Sequence, residues 1–598
     1  MMSRALRLGA SPFAAIGFAA VVAIQLSAQQ RPVEEFFRDF SAEWARGNPN
    51  LAIQTRYFTG LEQERLERQL TPVTRTWREQ RVEVARRGLG ELRRMTRGGW
   101  TEQQHIAADL LEWQLGVIAD GAAHEAVSSF PLEQFAGANV NLVNALTVVH
   151  PIRTEADADN YLARLAQVSQ RMDEAISDAK AQAAKDILPP RFILRSTIAQ
   201  MQQFIAPPPA ENPFVTSLDQ RLAAAKAVTD ERRATLRAEA ARIVDGHVYP
   251  AWRRGIALLT EQMAVATDAA GMWRLPGGAA AYAFQLRRHT TTNLTAEEIH
   301  RIGLREVARI EEQMDAILRT LGRTQGTVKE RIERLRTDLA YPLTEEGRTA
   351  IMADIEVMIR EAEKRAAAQF DIRPRAPVMA QPYPRFRENN AAASYSAPPL
   401  DGSRPGVFQM PLRPDQMTKF RLRSLVHHET VPGHHFQIAL DLENTAQPQF
   451  RRVRLFGGIA ALSEGWGLYA ERIAVESGWY EGDPEGLLGA LESELFRARR
   501  LVVDTGIHAF GWTREQAIEY GIEPSEVERY VVNAGQACAY MIGQLKLIEL
   551  REKSRAALGD RFDIRDFHNH VLLAGTLPLD QLERRIDAYI RLRSTGTQ

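Results

Sequence analysis

The amino-acid sequence predicts a mainly α-helical protein, a large assembly of helices around a deep central cleft, interrupted by one short irregular or β segment. Three observations carry this. Apolar residues recur at helical spacing through most of the chain. Capping-box pairs open several of those stretches. Strand-like alternation is scarce, and no fixed-period repeat is present. From Val33 onward, Phe36, Phe37, Phe40 and Trp44 share one face while Glu and Arg fill the other, so a core begins there. Thr101 with Gln104 caps a helix carrying Ile106, Leu110 and Trp113. Thr295 with Glu298 repeats the signal before a long helix through Ile299, Ile302, Val307, Ile310 and Met314. Two stretches break the pattern. IAPPPAENPF, residues 205–214, is a proline-rich hinge between helices. Between Arg373 and Asp415 lie nine prolines, and 395–399 and 406–410 look extended. This segment is expected to hold one or two short strands. It is either a plain surface connection or a cleft wall whose edge pairs with an extended peptide.

Composition limits the function. Of 598 residues, 75 are Lys or Arg and 75 are Asp or Glu, so no general basic field invites nucleic acid or anionic lipid. With 45% hydrophobic residues the chain can bury a large core, which excludes a disordered scaffold. One cysteine, Cys538, excludes an intramolecular disulfide and a thiolate metal cluster; a metal would need His and carboxylate ligands. Arg4 and Arg7, the apolar run Phe13–Leu26 and the small pair Ser27-Ala28 read as a secretory signal peptide. That run is shorter than the roughly 20 residues a bilayer span needs, so no stable membrane insertion is expected after cleavage. The expected organisation is a signal peptide over 1–28, an N-terminal helical region over 29–285 and a C-terminal catalytic helical region over 286–598. The expected location is periplasmic or secreted.

The chemistry concentrates in 421–442, RLRSLVHHETVPGHHFQIALDL. His428-Glu429 begins a zincin-like pattern, in which a helix presents a ligand histidine followed by a glutamate able to take a proton from water. The place four residues after His428, where a second histidine is usual, is taken by Pro432; the next histidines are His434 and His435. On a regular helix, six residues turn ~600° and point to the wrong face, while seven return to the face but roughly 10 Å along the axis. Pro432 and Gly433 are expected to widen the turn and return His434 to the face of His428. His434 is therefore the expected second ligand, with His435 a supporting residue or the fallback.

A third protein ligand completes a catalytic zinc site with one position left open. In ALSEGWGLYAERI, Glu464 and Glu471 stand seven apart on an otherwise apolar helix. Glu464 is read as the ligand and Glu471 as the group orienting a histidine. In RARRLVVDTGIHAFGW, Arg497, Arg500, Asp504 and His508 follow helical spacing. His508, within reach of Asp504, could hold a developing oxyanion or belong to a structural ion-pair stripe; Arg500 could bind a substrate carboxylate. In YVVNAGQACAYMIG, Gly535 opens a small-residue helix that projects Tyr540, whose hydroxyl could donate to a tetrahedral intermediate or simply pack.

HETVPGHH, SEGWGLYAE, RLVVDTGIH and GQACAYMIG, with HTTTNLTAEEIHRIG, PPLDGSRPG and GTLPLDQL, together resemble bacterial domain-of-unknown-function family 885, in consistent order from about Tyr282 to Leu582. That family is usually grouped with the HExxH-type zinc peptidases. The resemblance implies a fold similar to the helical oligopeptidases and dipeptidyl carboxypeptidases. Position by position it implies His428, His434 and Glu464 as ligands, Glu429 as catalytic base, and His508 and Tyr540 as oxyanion or substrate contacts. Ala534 stands where the family often has proline, and Met541 where it often has lysine; both departures bear on substrate handling beyond the metal. The expected activity is that of a Zn²⁺-dependent metallopeptidase acting on short peptides. The alternatives are a metal-dependent hydrolase of a non-peptide amide or ester, and a catalytically inactive binding protein.

Overall fold

Helices carry the chain from Val33 to Ser594 in the computed structural model, which describes residues 31–226, 228–383, 385–388, 392–398 and 404–595. The expected signal peptide lies outside the described residues. The protein is mainly α-helical, as its periodicity predicts, and its β structure among the described residues is one small sheet and an isolated bridge between Ala340 and Thr418. No helix among the described residues is long and apolar enough to cross a membrane.

The first helix, α1 (Val33–Arg46), buries the face the sequence marks: Phe36, Phe37, Phe40 and Trp44 are all under a tenth exposed. It does not pack only on its neighbours in sequence. Phe37 meets Phe450 at 5.4 Å and Phe40 stacks on Phe456 at 5.8 Å, so this apolar stripe seals the back of the C-terminal half. Thr101 and Gln104 form a complete capping box on α2 (Glu102–Gly121), whose Leu110 and Leu111 are buried. The helices between Ala138 and Val265 close around a second core containing Tyr161, Phe214 and Trp252. The 205–214 stretch is a connection, as read from its prolines: one helix ends at Ile205, a short 3₁₀ turn follows, and the next helix starts at Pro213.

The third and largest core draws on the helices that carry the site. Helix α3 (Gly278–Thr290) leads to α4 (Ala296–Thr320), which opens on the Thr295/Glu298 capping box. The proline-rich segment that follows holds three short strands rather than one or two: β1 (Val378–Pro382), β2 (Ser394–Ser396) and β3 (Gly406–Met410). Their order is β1-β3-β2, with β3 parallel to β1 and antiparallel to β2. The additional strand is β1; parallel pairing to a strand 28 residues downstream (Val378 opposite Gly406) leaves no local signal.

Five helices then build the site: α5 (Lys419–Glu429), α6 (His434–Glu443), α7 (Ala460–Glu476), α8 (Pro484–Ala509) and α9 (Ala539–Leu558). Three glycines allow them to approach closely. A Cβ on Gly489 of α8 would lie 2.1 Å from the Phe420 carbonyl of α5. A Cβ on Gly465 of α7 would lie 2.6 Å from the backbone of Gly543 in α9, and one on Gly303 of α4 would lie 2.8 Å from Leu501 of α8. Backbone contact of this kind fixes where the polar side chains beside each glycine must point.

Candidate metal centre

The segment carrying His428 and His434 is two helices, not one widened turn. Helix α5 ends at Glu429, residues 430–433 form a link with a cis Val431–Pro432 bond, and α6 begins at His434. The expected bulge would have kept the helix continuous; instead Pro432 ends it. The Trp466 indole donates to the Pro432 carbonyl at 2.9 Å, so α7 supplies a partner that a continuous helix would not need. Gly433 is required by space, since a Cβ there would lie 1.9 Å from the His428 carbonyl. The result is nevertheless the one the spacing argument sought: the His428 and His434 rings stand edge to face, 4.8 Å apart.

Glu464 of α7 completes the group. Its Oε2 is 3.3 Å from His434 Nε2 and 3.8 Å from His428 Nε2, and one ligand atom from each of the three residues lies within 4.8 Å of the others. Three ligands ~2.0–2.2 Å from one tetrahedral ion would be separated by about 3.3–3.6 Å, so the group fits a divalent cation with little adjustment. The charge distribution fits as well. Burial would depress His428, but Glu464 and Glu471 outweigh it and hold the imidazole up at about 9. Burial would raise Glu464, but its hydrogen bonds with His428 and His434 keep it well below the usual carboxylate range. The Glu464 carboxylate thus places negative charge beside the point where a cation would sit.

Behind the ligands stands a supporting layer. His428 Nδ1 donates to Glu471 Oε1 at 2.8 Å, and the Ser424 hydroxyl donates to the other oxygen of Glu471. Arg497 Nη2 lies 3.9 Å from Glu471. Burial opposes ionisation of Glu471, yet Arg497, His428 and Ser424 together hold its pKa down. This carboxylate–imidazole pair fixes the tautomer that leaves Nε2 free to ligate. Glu429, next to His428, is 7% exposed and has no hydrogen-bonding or ionic partner for its carboxylate among the described residues.

The other expected site residues divide. The Tyr540 ring lies parallel to that of His428, centroids 6.5 Å apart, with the Arg500 guanidinium 4.4 Å from it. Burial and the Glu464 charge raise its phenol. Arg500 is bound to Tyr530 at 2.8 Å and Glu526 at 3.0 Å, so it braces Tyr540 rather than offering itself to a substrate carboxylate. His435 faces the sheet: Nε2 donates to the Ala376 carbonyl at 3.1 Å and Nδ1 accepts from Tyr395 at 2.9 Å, which leaves neither nitrogen for a metal. His508 is likewise spent on backbone, accepting from the Met272 amide at 3.1 Å and donating to the Tyr530 carbonyl at 3.0 Å. The expected Asp504–His508 bond does not form. Asp504 instead accepts from the Tyr282 hydroxyl at 2.7 Å and the Gly535 amide at 3.0 Å, and burial pushes it up to about 7.

Sequence reasoning passed over Gly467, Ser424 and Trp466. Ser424 was open to inspection, because it sits four residues before His428 on the same helical face. Gly467 carried a weaker signal, a glycine inside an otherwise apolar helix. Trp466 bonds to a residue 34 positions away and gave none.

Along the α5 wall that leads toward this centre lies a cavity of about 1240 Å³, walled by α5 and α8 and bordered by the end of β3 and the residues just before β2; none of the three ligands lines it. Leu425, three residues before His428, lines it, and so does Arg497, which reaches Glu471.

A helical frame with a His-His-Glu group, its histidines buried and its glutamate part-buried, and a glutamate next to the first histidine defines a class of candidate metal-centred proteins. Within it, the chain belongs to the bacterial family of unknown function DUF885, whose model matches residues 54–586. A crystal structure described as a "putative lipoprotein" from Colwellia psychrerythraea is 30% identical, with a TM-score of 0.86 over 93% of this chain and 99% of that one. A second, a "putative lipoprotein of unknown function" from Shewanella oneidensis, shares the fold at 18% identity, with a TM-score of 0.70 over the same shares of the two chains. Among curated proteins, none matches the chain significantly.

Proposed function

We propose that the protein is an exported zinc-dependent metallopeptidase that hydrolyses amide bonds in short peptides. The observation that carries this reading is the convergence of His428, His434 and Glu464, with the buried, uncommitted carboxylate of Glu429 next in the chain to His428. Two imidazoles and a carboxylate are the donor set of hydrolytic zinc sites, and a bound Zn²⁺ would polarise the scissile carbonyl and acidify water there. Glu429 takes the proton from the attacking water and delivers it to the leaving amine. Tyr540, held by Arg500 against the histidine pair, donates a hydrogen bond to the oxygen on which negative charge grows. His508 has no part in this scheme. Export is supported by the charged-then-apolar leader and by the lipoprotein descriptions of the two structural relatives.

The test is a mass-spectrometric cleavage profile of a mixed peptide library by zinc-loaded protein, with the Glu429→Gln variant as control. Discrete cleavages that vanish in the control support the reading. No cleavage by protein carrying one zinc per chain would overturn it, and turnover of small esters or non-peptide amides under the same conditions would install the alternative.

A further inference from the structure

The cavity along the α5 wall holds two guanidinium groups with hydrogen-bond donors to spare. Arg497 is 14% exposed; its Nη1 bonds Ser493, its Nη2 stands 3.9 Å from Glu471, and its Nε has no partner among the described residues. Glu471 is itself committed to His428 and Ser424. Arg421 lies 3.2 Å from Glu492 without hydrogen-bonding alignment, and that carboxylate is also paired with Arg336. Arg421 and Arg336 thus share one acid, and Arg497 has only the long pairing with Glu471 among the described residues. Enclosure, assisted by the nearby charges of Arg336 and Arg497, pulls Arg421 down to about 10. The remaining acids of the cavity do not answer this, because neither Glu333, Asp415 nor Glu523 pairs with Arg421 or Arg497.

Position supplies the second half of the argument. Only one carboxylate and one imidazole separate the Arg497 guanidinium from the point between the ligands. Added end to end, the 3.9 Å and 2.8 Å contacts and the imidazole make a path of roughly 10 Å, which two or three extended residues at ~3.5 Å each span. Arg421 lies two helical turns before His428, farther along the same wall. Guanidinium forks with free donors match carboxylates in charge and in planar geometry.

We propose that Arg497 and Arg421 bind a substrate carboxylate, so that the preferred substrate is a short peptide with a negative charge two or three residues from the bond that is cut. This rests on the peptidase reading above. The carboxylate can be the peptide's own C-terminus or an acidic side chain.

The experiment compares three probes on zinc-loaded protein: a pentapeptide with a free C-terminus, its C-terminal amide, and the amide carrying one Glu at each position in turn. Binding of the same probes to the Glu429→Gln variant is measured by calorimetry. The free acid or one Glu-containing amide is expected to exceed the plain amide about 10- to 100-fold in kcat/KM, chiefly through KM. Preference for the free acid identifies the terminal carboxylate, and an equal gain from an internal Glu identifies the side chain. Arg421→Gln and Arg497→Lys should each narrow that ratio while zinc content stays at one per chain. An equal rate on acid and amide would overturn the proposal, as would a ratio that neither substitution moves. If no probe is cut but the acid still binds preferentially, the carboxylate site stands and the peptidase reading fails.

Discussion

A methyl group on Gly467 would lie 2.7 Å from Cε1 of His428 and 2.9 Å from its Nε2, so the backbone of α7 rests directly against the ring that the proposed metal would use. Glycine inside a helix ordinarily costs about 0.5–1 kcal/mol relative to alanine. Gly467→Ala should therefore help the helix and harm the site. The ring must rotate or withdraw, and Nε2 moves away from Glu464. Zinc affinity, read by competition with a chromogenic chelator, should fall at least 10-fold, while the melting temperature of metal-free protein holds or rises. Undiminished affinity would show that α7 can yield at this contact.

Glu471 offers a complementary test of the same ring from its other side. Glu471→Gln preserves the shape and an oxygen for the Ser424 hydroxyl, but removes the charge that orients and polarises His428. Loss of such a supporting carboxylate typically weakens metal binding 10- to 100-fold. The same chelator competition should report a loss in that range, and an affinity equal to wild type would reduce Glu471 to a packing role.

Glu429 should behave differently from both. Its carboxylate makes no hydrogen bond or ion pair with the three ligands, so Glu429→Gln should bind zinc with wild-type stoichiometry and affinity. Removing a general base typically lowers turnover by 10²–10⁴, and the loss should lie in kcat, with KM little changed. A variant that is inactive because it has lost its metal would contradict this assignment.

The fold was more legible than the wiring of the site. Phe36, Phe40 and the Thr295/Glu298 box announce themselves through local spacing, and both carboxylate partners of the histidines stand out because Glu464 and Glu471 interrupt an apolar helix. What spacing could not supply were partners chosen by tertiary contact. Asp504 and His508 have the i,i+4 relation that favours a bond, yet each finds a competitor on a distant segment. Tyr282 and Gly535 take the carboxylate, and the backbones of Met272 and Tyr530 take the imidazole. Helix periodicity likewise allowed for a distorted turn at Pro432 but not for its replacement by a link, because the Trp466 indole that satisfies the Pro432 carbonyl comes from another helix.

That rewiring of His508 makes a prediction about pH. Burial, assisted by the nearby charge of Arg274, lowers its pKa from an ordinary value near 6.5 to about 4. The folded protein therefore binds fewer protons here than the unfolded chain between those two values. The stability contributed by the neutral ring is fully present above about pH 6.5 and is lost as pH falls toward 4. Protonation would also put a hydrogen on Nδ1, which faces the Met272 amide as an acceptor. Other buried histidines with depressed pKa, among them His427 and His568, act in the same direction, so the informative quantity is a difference. His508→Gln should lower the melting temperature at pH 7.5, and the gap from wild type should shrink as pH is brought from 6.5 to 4.5. Thermal melts at four or five pH values suffice to measure it. A gap that stays constant across this window, or a variant with wild-type stability and a selective loss of kcat, would return His508 to the catalytic role that its spacing first suggested.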